Sequence, residues 1–242
     1  RKESSAASDV YKRQDMSSRY ILSYGGETEV LKVATQPTFG ARWLVPNLKG
    51  FSRRHPTIHL DIKNELEPFD LVQAKADMAF FYGTGSWPGA TCIELFGEEV
   101  IAVCAPDLLP EEPLLDAGDL TSLVLLQCTS RPGAWHEWFE EQGISTENSY
   151  HGPRFDTFYM CIRAAESGCG VALVPRFLVL EELQEGKLVI PWQHYKPSQG
   201  AHFMAFAEQS AEVPKVRALI DWILEKARAG AGATAPVPEF KE

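Results

Sequence analysis

Residues 31–62, LKVATQPTFGARWLVPNLKGFSRRHPTIHLDI, carry the pattern that decides the fold. Leu31–Thr35 is a short run rich in strand formers, and Gln36-Pro37-Thr38 breaks it. Pro37 disfavours helical dihedrals at Gln36, and Thr38 is placed to cap a helix by accepting from an early N–H. Leu44, Leu48 and Phe51 then recur at helical spacing, with Ala41 and Val45 widening the apolar face, and His55-Pro56 closes the helix. Ile58, Leu60 and Ile62 alternate as a half-buried strand. In a strand–helix–strand unit of this kind the ligand crevice lies beyond the strand's carboxyl end. Thr35 and the helix N-terminus at Thr38 are therefore expected to line a site suited to an anion.

The pattern continues outward from this unit. Residues 68–74 read as a turn or short helix, and 77–82 (DMAFFY) as a strand buried on both faces. GTGSWPG at 83–89 is loop, and Cys92–Phe96 and Glu99–Ala105 read as two strands. A second alternation follows: strand at 123–127, polar turn Thr129-Ser130-Arg131, helix at 135–142, strand at 150–155 and helix at 158–166 capped from Asp156-Thr157. Strand 171–174, helix 176–184 opened by Pro175, strands 188–190 and 202–206 and an amphipathic helix over 214–229 complete it. Two such alternations predict a two-lobed, mostly parallel α/β protein with a cleft between its lobes.

Composition narrows the function. A net charge of −10 without a basic patch argues against direct binding to nucleic acid. There is no apolar run of about 18 residues and no cleavable leader pattern, so neither a membrane partner nor secretion is expected. The five scattered cysteines suit reduced thiols in the cytoplasm. His55 and His59 flank Pro56 and do not share a helical face, so no metal or other cofactor is expected. For catalysis, Ser130 has no histidine placed by a motif, and the GxSxG and Walker patterns are absent. The acidic pairs Glu98-Glu99 and Glu111-Glu112 read as exposed and solvated. Residues 1–14 are expected to be irregular, 15–24 to be the end of a helix, and 230–242 to be a loose tail.

Three pieces in register resemble one family. They are ATQPTFGARWLVPNLKGFSRRHPTIHL (34–60), FDL (69–71) with DMAFFYGTGSWPG (77–89), and EVIAVCAPDLL (99–109). Together with GPRFDTFYMCIRAAESGCGVALVPRFLVLEELQEGKL (152–188), they resemble the effector-binding domain of LysR-type transcriptional regulators, in the glycine-cleavage-activator and β-lactamase-regulator branch. The resemblance spans about residues 29–228 and implies a type 2 periplasmic-binding-protein fold. Lobe I would comprise 29–105 and 201–229, and lobe II 106–200, with crossings near Ala105-Pro106 and Gly200-Ala201. The family's winged helix-turn-helix has no counterpart here, and residues 1–28 would hold at most a remnant of its linker helix; DNA would be read only through that missing domain.

The resemblance also implies an effector site between the lobes. It would draw on Thr35, Pro37 and Thr38, on Tyr82 and Gly83, on Thr129 and Ser130, and on Phe155, Asp156 and Thr157. Helix N-termini at Thr38 and Thr157 would each favour a negative group by about 0.3–1 kcal/mol. Arg131 could hold a carboxylate bidentately, Asp156 an ammonium, and Tyr82, Trp87, Phe158 and Tyr159 part of a cage for a cation. The implied effector is thus a carboxylate, an amino acid or a quaternary amine. Family members associate antiparallel, which points to a homodimer or tetramer through helices 42–54 and 158–166. A transporter's solute-binding protein, or an enzyme on the same fold, are the alternatives.

Overall fold

The computed structural model describes residues 29–65, 71, 76–111 and 114–231. The expected N-terminal segment, most of the 68–74 turn and most of the tail lie outside them. One fully buried strand and the buried end of another decide how the layers stack. In β7 (Val171–Pro175) every residue is buried, and the period of two sends Val171 and Leu173 to one packed cluster and Ala172 and Val174 to another. β4 (Ala90–Val103) ends the same way, with Ala102 joining the first cluster and Ile101 and Val103 the second. Trp135, Trp138 and Phe139 of the Ala134–Glu140 helix cover one face, and Cys161, Ile162 and Ala165 of the Phe158–Glu166 helix cover the other.

The first lobe repeats the plan. Leu31 and Val33 of β1 (Glu29–Thr35) pack with Phe39, Leu44 and Phe51 and with Val216, Leu219 and Ile223 of the Pro214–Ala231 helix. Ala34 faces the opposite layer with Ala79 and Ala205. A fully buried side chain such as Phe51 contributes about 2 kcal/mol. One eight-stranded sheet runs through both lobes in the order β2 (Ile58–Asn64), β1, β3 (Met78–Gly83), β8 (Lys196–Ala207), β4, β7, β5 (Leu125–Cys128), β6 (Arg154–Phe155). The outer pairings are parallel and the three central ones antiparallel.

Several boundaries differ from expectation. The two strands expected at 92–96 and 99–105 are one 14-residue strand with register shifts between Glu94 and Phe96 and between Gly97 and Glu99. Beyond these bulges Val100–Val103 pair with β7, ahead of the crossing expected near Ala105-Pro106. β8 likewise starts at Lys196, ahead of the expected return at Gly200. The expected single helix over 38–54 is broken. Its start is α-helical at Pro37–Phe39 and widens to a π-helix at Gly40–Leu44, where the Val45 N–H bonds to the Gly40 carbonyl. Pro46 has no N–H to offer and its ring crowds the preceding turn, which accounts for the widening. Gly50, at φ 92°, then separates a short helix, Phe51–Arg54. The 150–155 strand shrinks to Arg154–Phe155, and 188–190 to a single bridge from Val189 to Cys104. No helix among the described residues is long and apolar enough to cross a membrane.

Candidate functional site

Around the cleft, the strands β1, β3 and β6 end in the expected site residues Thr35, Gly83 and Phe155, and Thr129–Arg131 follow directly on β5. At one end of the cleft the threonines are engaged with the protein itself. Thr35 is 1% exposed; its hydroxyl bonds the Gln36 carbonyl at 3.3 Å, and its methyl fills the space where a side chain on Gly40 would stand. Thr38 is not the helix cap. Gln36 holds that position without a side-chain bond, and Pro37 is the first helical residue. The Thr38 hydroxyl instead accepts, at 2.9 Å, from the N–H of Tyr159 in the first turn of the Phe158–Glu166 helix. That helix is capped by Thr157, whose hydroxyl accepts from Met160 N–H at 3.4 Å, while Asp156 stays exposed. The two helix N-termini therefore meet in direct contact. Close by, Arg42 of the first lobe reaches the Leu178 carbonyl at 2.7 Å and Glu182 at 2.5 Å in the second.

The other end is built from charge. Arg131, in the turn after β5, lays its guanidinium 3.4 Å from the centroid of the Tyr82 ring and 5.8 Å from that of Phe158. Its Nη2 lies 3.2 Å from Oε1 of Glu98, a side chain that is 0% exposed. Glu98 also accepts from Ser198 at 2.9 Å, and its Oε2 lies 2.7 Å from Nε2 of His202. Burial alone would raise the Glu98 carboxyl. The His202 hydrogen bond, the charges of His202 and Arg131 and the Ser198 hydroxyl outweigh it, and hold the group below the ordinary carboxylate value. An ionised carboxylate only accepts, so Nε2 of His202 carries the proton. The imidazole is stacked on Phe39, centroids 4.9 Å apart at 13°, with Phe96 and Phe177 around it. Its Nδ1 is buried and has no partner among the described residues.

Beside this cluster is a cavity of about 280 Å³, walled by Tyr82, Gly83 and Arg131 together with Val100, Lys196 and Leu173. Tyr82 is held by a 3.0 Å bond from Gly200 N–H to its hydroxyl, and Gly200 is needed there: a Cβ would stand 2.7 Å from the Tyr82 ring. Of the expected site residues the structure brings Tyr82, Gly83 and Arg131 to the cavity wall. Thr129 and Phe155 are joined by a backbone bond at the ends of β5 and β6, and Ser130 contacts Cys128; neither they nor Thr35, Pro37, Thr38, Asp156 and Thr157 wall the cavity. The aromatic cage does not form. Tyr82 and Phe158 face the Arg131 cation, Trp87 packs on Phe81, and Tyr159 lies by Arg42. Glu98 is the principal residue missed, since the pair Glu98-Glu99 was expected to be solvated and only Glu99 is partly so. The signal present was at His202, which stands at the start of the apolar strand run HFMAFA and, once buried, calls for a carboxylate partner. Among the described residues no group of three or more metal-ligating side chains is placed to hold an ion.

Comparison with known proteins agrees with this architecture. Residues 24–228 match the family described as LysR substrate binding domain. The glycine cleavage system transcriptional activator of Escherichia coli K12 is 35% identical over 200 residues, 82% of this chain and 65% of that protein. The transcriptional activator AmpR of Rhodobacter capsulatus is 32% identical over 211 residues, 86% of this chain and 71% of its own length. The solved effector domain of AmpR from Pseudomonas aeruginosa superposes with a TM-score of 0.75 at 28% identity, covering 84% of this chain and 98% of that one. The chain thus spans about two thirds of the E. coli activator and nearly all of an isolated effector domain. It belongs to the LysR substrate-binding-domain family.

Proposed function

We propose that this chain senses a small carboxylate, amino acids included, in the cavity beside Arg131, and that it does so without turning the ligand over. The observation that carries the reading is Arg131 itself. It is a 25% exposed guanidinium at the wall of a cavity of about 280 Å³, touching Tyr82 of the first lobe from a turn of the second. That volume is near the lower end for small-molecule sites, which suits a small metabolite. Lys196, paired with Glu141 at 2.6 Å and with Glu137 at 3.8 Å, adds a second cation to the wall, and Glu137 a carboxylate that an ammonium could share. A quaternary amine is disfavoured, because the aromatic faces at this end already hold a cation. A ligand that takes Arg131 from Glu98 changes the tie between the lobes, and shifts their arrangement to the extent that it binds the two states unequally. Arg131 and Lys196 replace Thr35 and Thr38 as the anion-reading groups.

The change would reach DNA through association with further copies and through a DNA-binding domain outside this sequence, in the cytoplasm. The expected faces carry exposed apolar residues suited to pairing: Val45 is 52% exposed, Tyr159 49% and Met160 47%. Arg42, in contrast, is spent within the chain on Glu182. Thermal-shift screening against monocarboxylates, dicarboxylates, amino acids and quaternary amines tests the ligand class. A ligand at about 100 Kd stabilises by about 2.7 kcal/mol. Arg131→Lys should abolish a carboxylate's shift, since a point charge does not replace the fork. A shift from quaternary amines alone, or one unchanged in Arg131→Lys, would refute the assignment. Light scattering at tens of micromolar tests association, and a strict monomer would refute the pairing faces.

A further inference from the structure

Glu98 of β4 is a wholly buried carboxylate with partners from two neighbouring elements. Arg131, in the turn after β5, lies 3.2 Å from its Oε1. On β8, Ser198 donates to the same oxygen at 2.9 Å, and His202 Nε2 lies 2.7 Å from Oε2. Arg131 is the cation of this group that also walls the cavity. His202 is 4% exposed and stacked on Phe39, with Phe96 and Phe177 around it and the Tyr82 ring edge-on at 5.4 Å. The titratable and charged groups that face the imidazole are therefore Glu98, Arg131 beyond it and the Tyr82 phenol, while Phe39, Phe96 and Phe177 present apolar faces. Lys196, two residues before Ser198, is turned to Glu141 at 2.6 Å and Glu137 at 3.8 Å. Nδ1 of His202 is buried and bare among the described residues. While Arg131 balances Glu98, a second proton on the imidazole has no acceptor and no charge to neutralise.

We propose that binding of a carboxylate at Arg131 is accompanied by uptake of a proton at the Glu98–His202 pair, so that His202 replaces Arg131 as the counter-ion of Glu98. The inference rests on a carboxylate drawing Arg131 away from Glu98, as argued above. Once that happens Glu98 is a buried charge without a cation, which is the costly arrangement. A proton from solvent on Nδ1 turns the ring into an imidazolium. That cation stands 2.7 Å from Glu98 and over the Phe39 face, and the group is neutral again. The acidity of Glu98 points the same way. Burial opposes its charge, and the His202 hydrogen bond, the charges of His202 and Arg131 and the Ser198 hydroxyl overcome that opposition. With Arg131 gone burial is less opposed, so the pair holds a proton more firmly in the bound state than in the free one. A state that binds more protons is favoured as pH falls. Carboxylate binding therefore tightens toward acid and weakens toward alkali, over the range above about pH 5 where the ligand's own carboxyl is ionised.

The test is calorimetric titration of the unaltered chain with sodium acetate, which carries the carboxylate and little else. It is run at about pH 6, about pH 7 and about pH 8, each in two buffers of different ionisation heat, so that protons taken up are counted directly. The Kd for acetate should rise at least about fivefold from the lowest pH to the highest, with proton uptake at each step of binding. Glu98→Gln keeps the shape of the side chain and removes its charge; its Kd should be flat in pH and its uptake lost. His202→Gln, without the replacement counter-ion, should lose most of the uptake as well. A flat Kd in the unaltered chain, or uptake undiminished in Glu98→Gln, would overturn the proposal and leave the carboxylate site standing. Acetate that does not bind at any of the three pH values would refute that site, and the linkage with it. Because protons are counted on the unaltered chain, a variant that fails to fold does not remove the test.

Discussion

The two ends of the cleft are tied in different ways. At the Thr38 end, a hydroxyl from one lobe bonds a helix N–H of the other at 2.9 Å, and the termini touch. At the Arg131 end, an arginine, a buried carboxylate and a histidine hold the lobes around a cavity. The first tie is a short-range neutral bond, flanked by the Arg42–Glu182 ion pair. A ligand entering there would have to displace a backbone bond, and the cation beside it, Arg42, is already spent on Glu182. The second depends on one cation with a competitor already bound, which a ligand anion can imitate. The comparison teaches that groups able to bind an anion are not the ones free to do so: closure uses up the threonines and leaves the arginine.

If this contrast is right, the charged end should dominate stability. Glu98→Ala leaves Arg131 and His202 without their shared partner and should cost about 3 kcal/mol, read from the urea midpoint. The sign of the pH effect follows from the lowered Glu98 value. The carboxylate is more acidic folded than unfolded, so its contribution is present above the unfolded value and fades as pH falls through the folded one. The unaltered chain should therefore lose stability below about pH 4.5 more steeply than Glu98→Gln. Equal acid slopes would mean that Glu98 is no hub. Gly200→Ala comes next. Its Cβ would meet the Tyr82 ring at 2.7 Å and the Gly83 carbonyl at 2.8 Å, a crowding of about 2 kcal/mol, and the same denaturation curve should show it together with weakened carboxylate binding.

How far this was readable in the sequence divides along the same line. The Phe158–Glu166 helix, its Thr157 cap and its stop before Gly168 were legible because each signal lies within about one turn of what it controls. The alternating layers of the two lobes were legible for the same reason. The break of the first helix at Pro46 and Gly50 was visible as residues but not as a π turn, since a proline can also kink or end a helix; after the break, Trp222 holds the chain through a 2.7 Å bond from its Nε1 to the Asn47 carbonyl. Glu98 was misread because its burial is decided 104 residues away at His202 and 33 residues away at Arg131. The bulge between Gly97 and Glu99 also breaks the alternation that would have assigned its face. Thr38 failed similarly: the local rule made it a cap, whereas its partner stands 121 residues along the chain.

The two hydroxyls at the Thr38 end sharpen the comparison with smaller effects. Thr38→Val keeps the shape of the side chain but strips the acceptor from Tyr159 N–H, and should cost about 1 kcal/mol with little dependence on pH. Thr157→Ala removes a longer bond, 3.4 Å to Met160 N–H, and should cost about 0.5 kcal/mol, at the low end for a lost cap. These two hydroxyls, one from each lobe, serve successive N–H groups of a single helix start. When Thr157 is gone the first turn is freer to move, so the Thr38 bond has less to hold. The double variant should accordingly lose less than the sum of the two single losses, whereas Thr38→Val combined with Glu98→Gln, at opposite ends, should add within about 0.5 kcal/mol. A double-mutant cycle by urea denaturation reads both couplings, and strong non-additivity between the two ends would show that the cleft closes as one unit rather than by two separate ties.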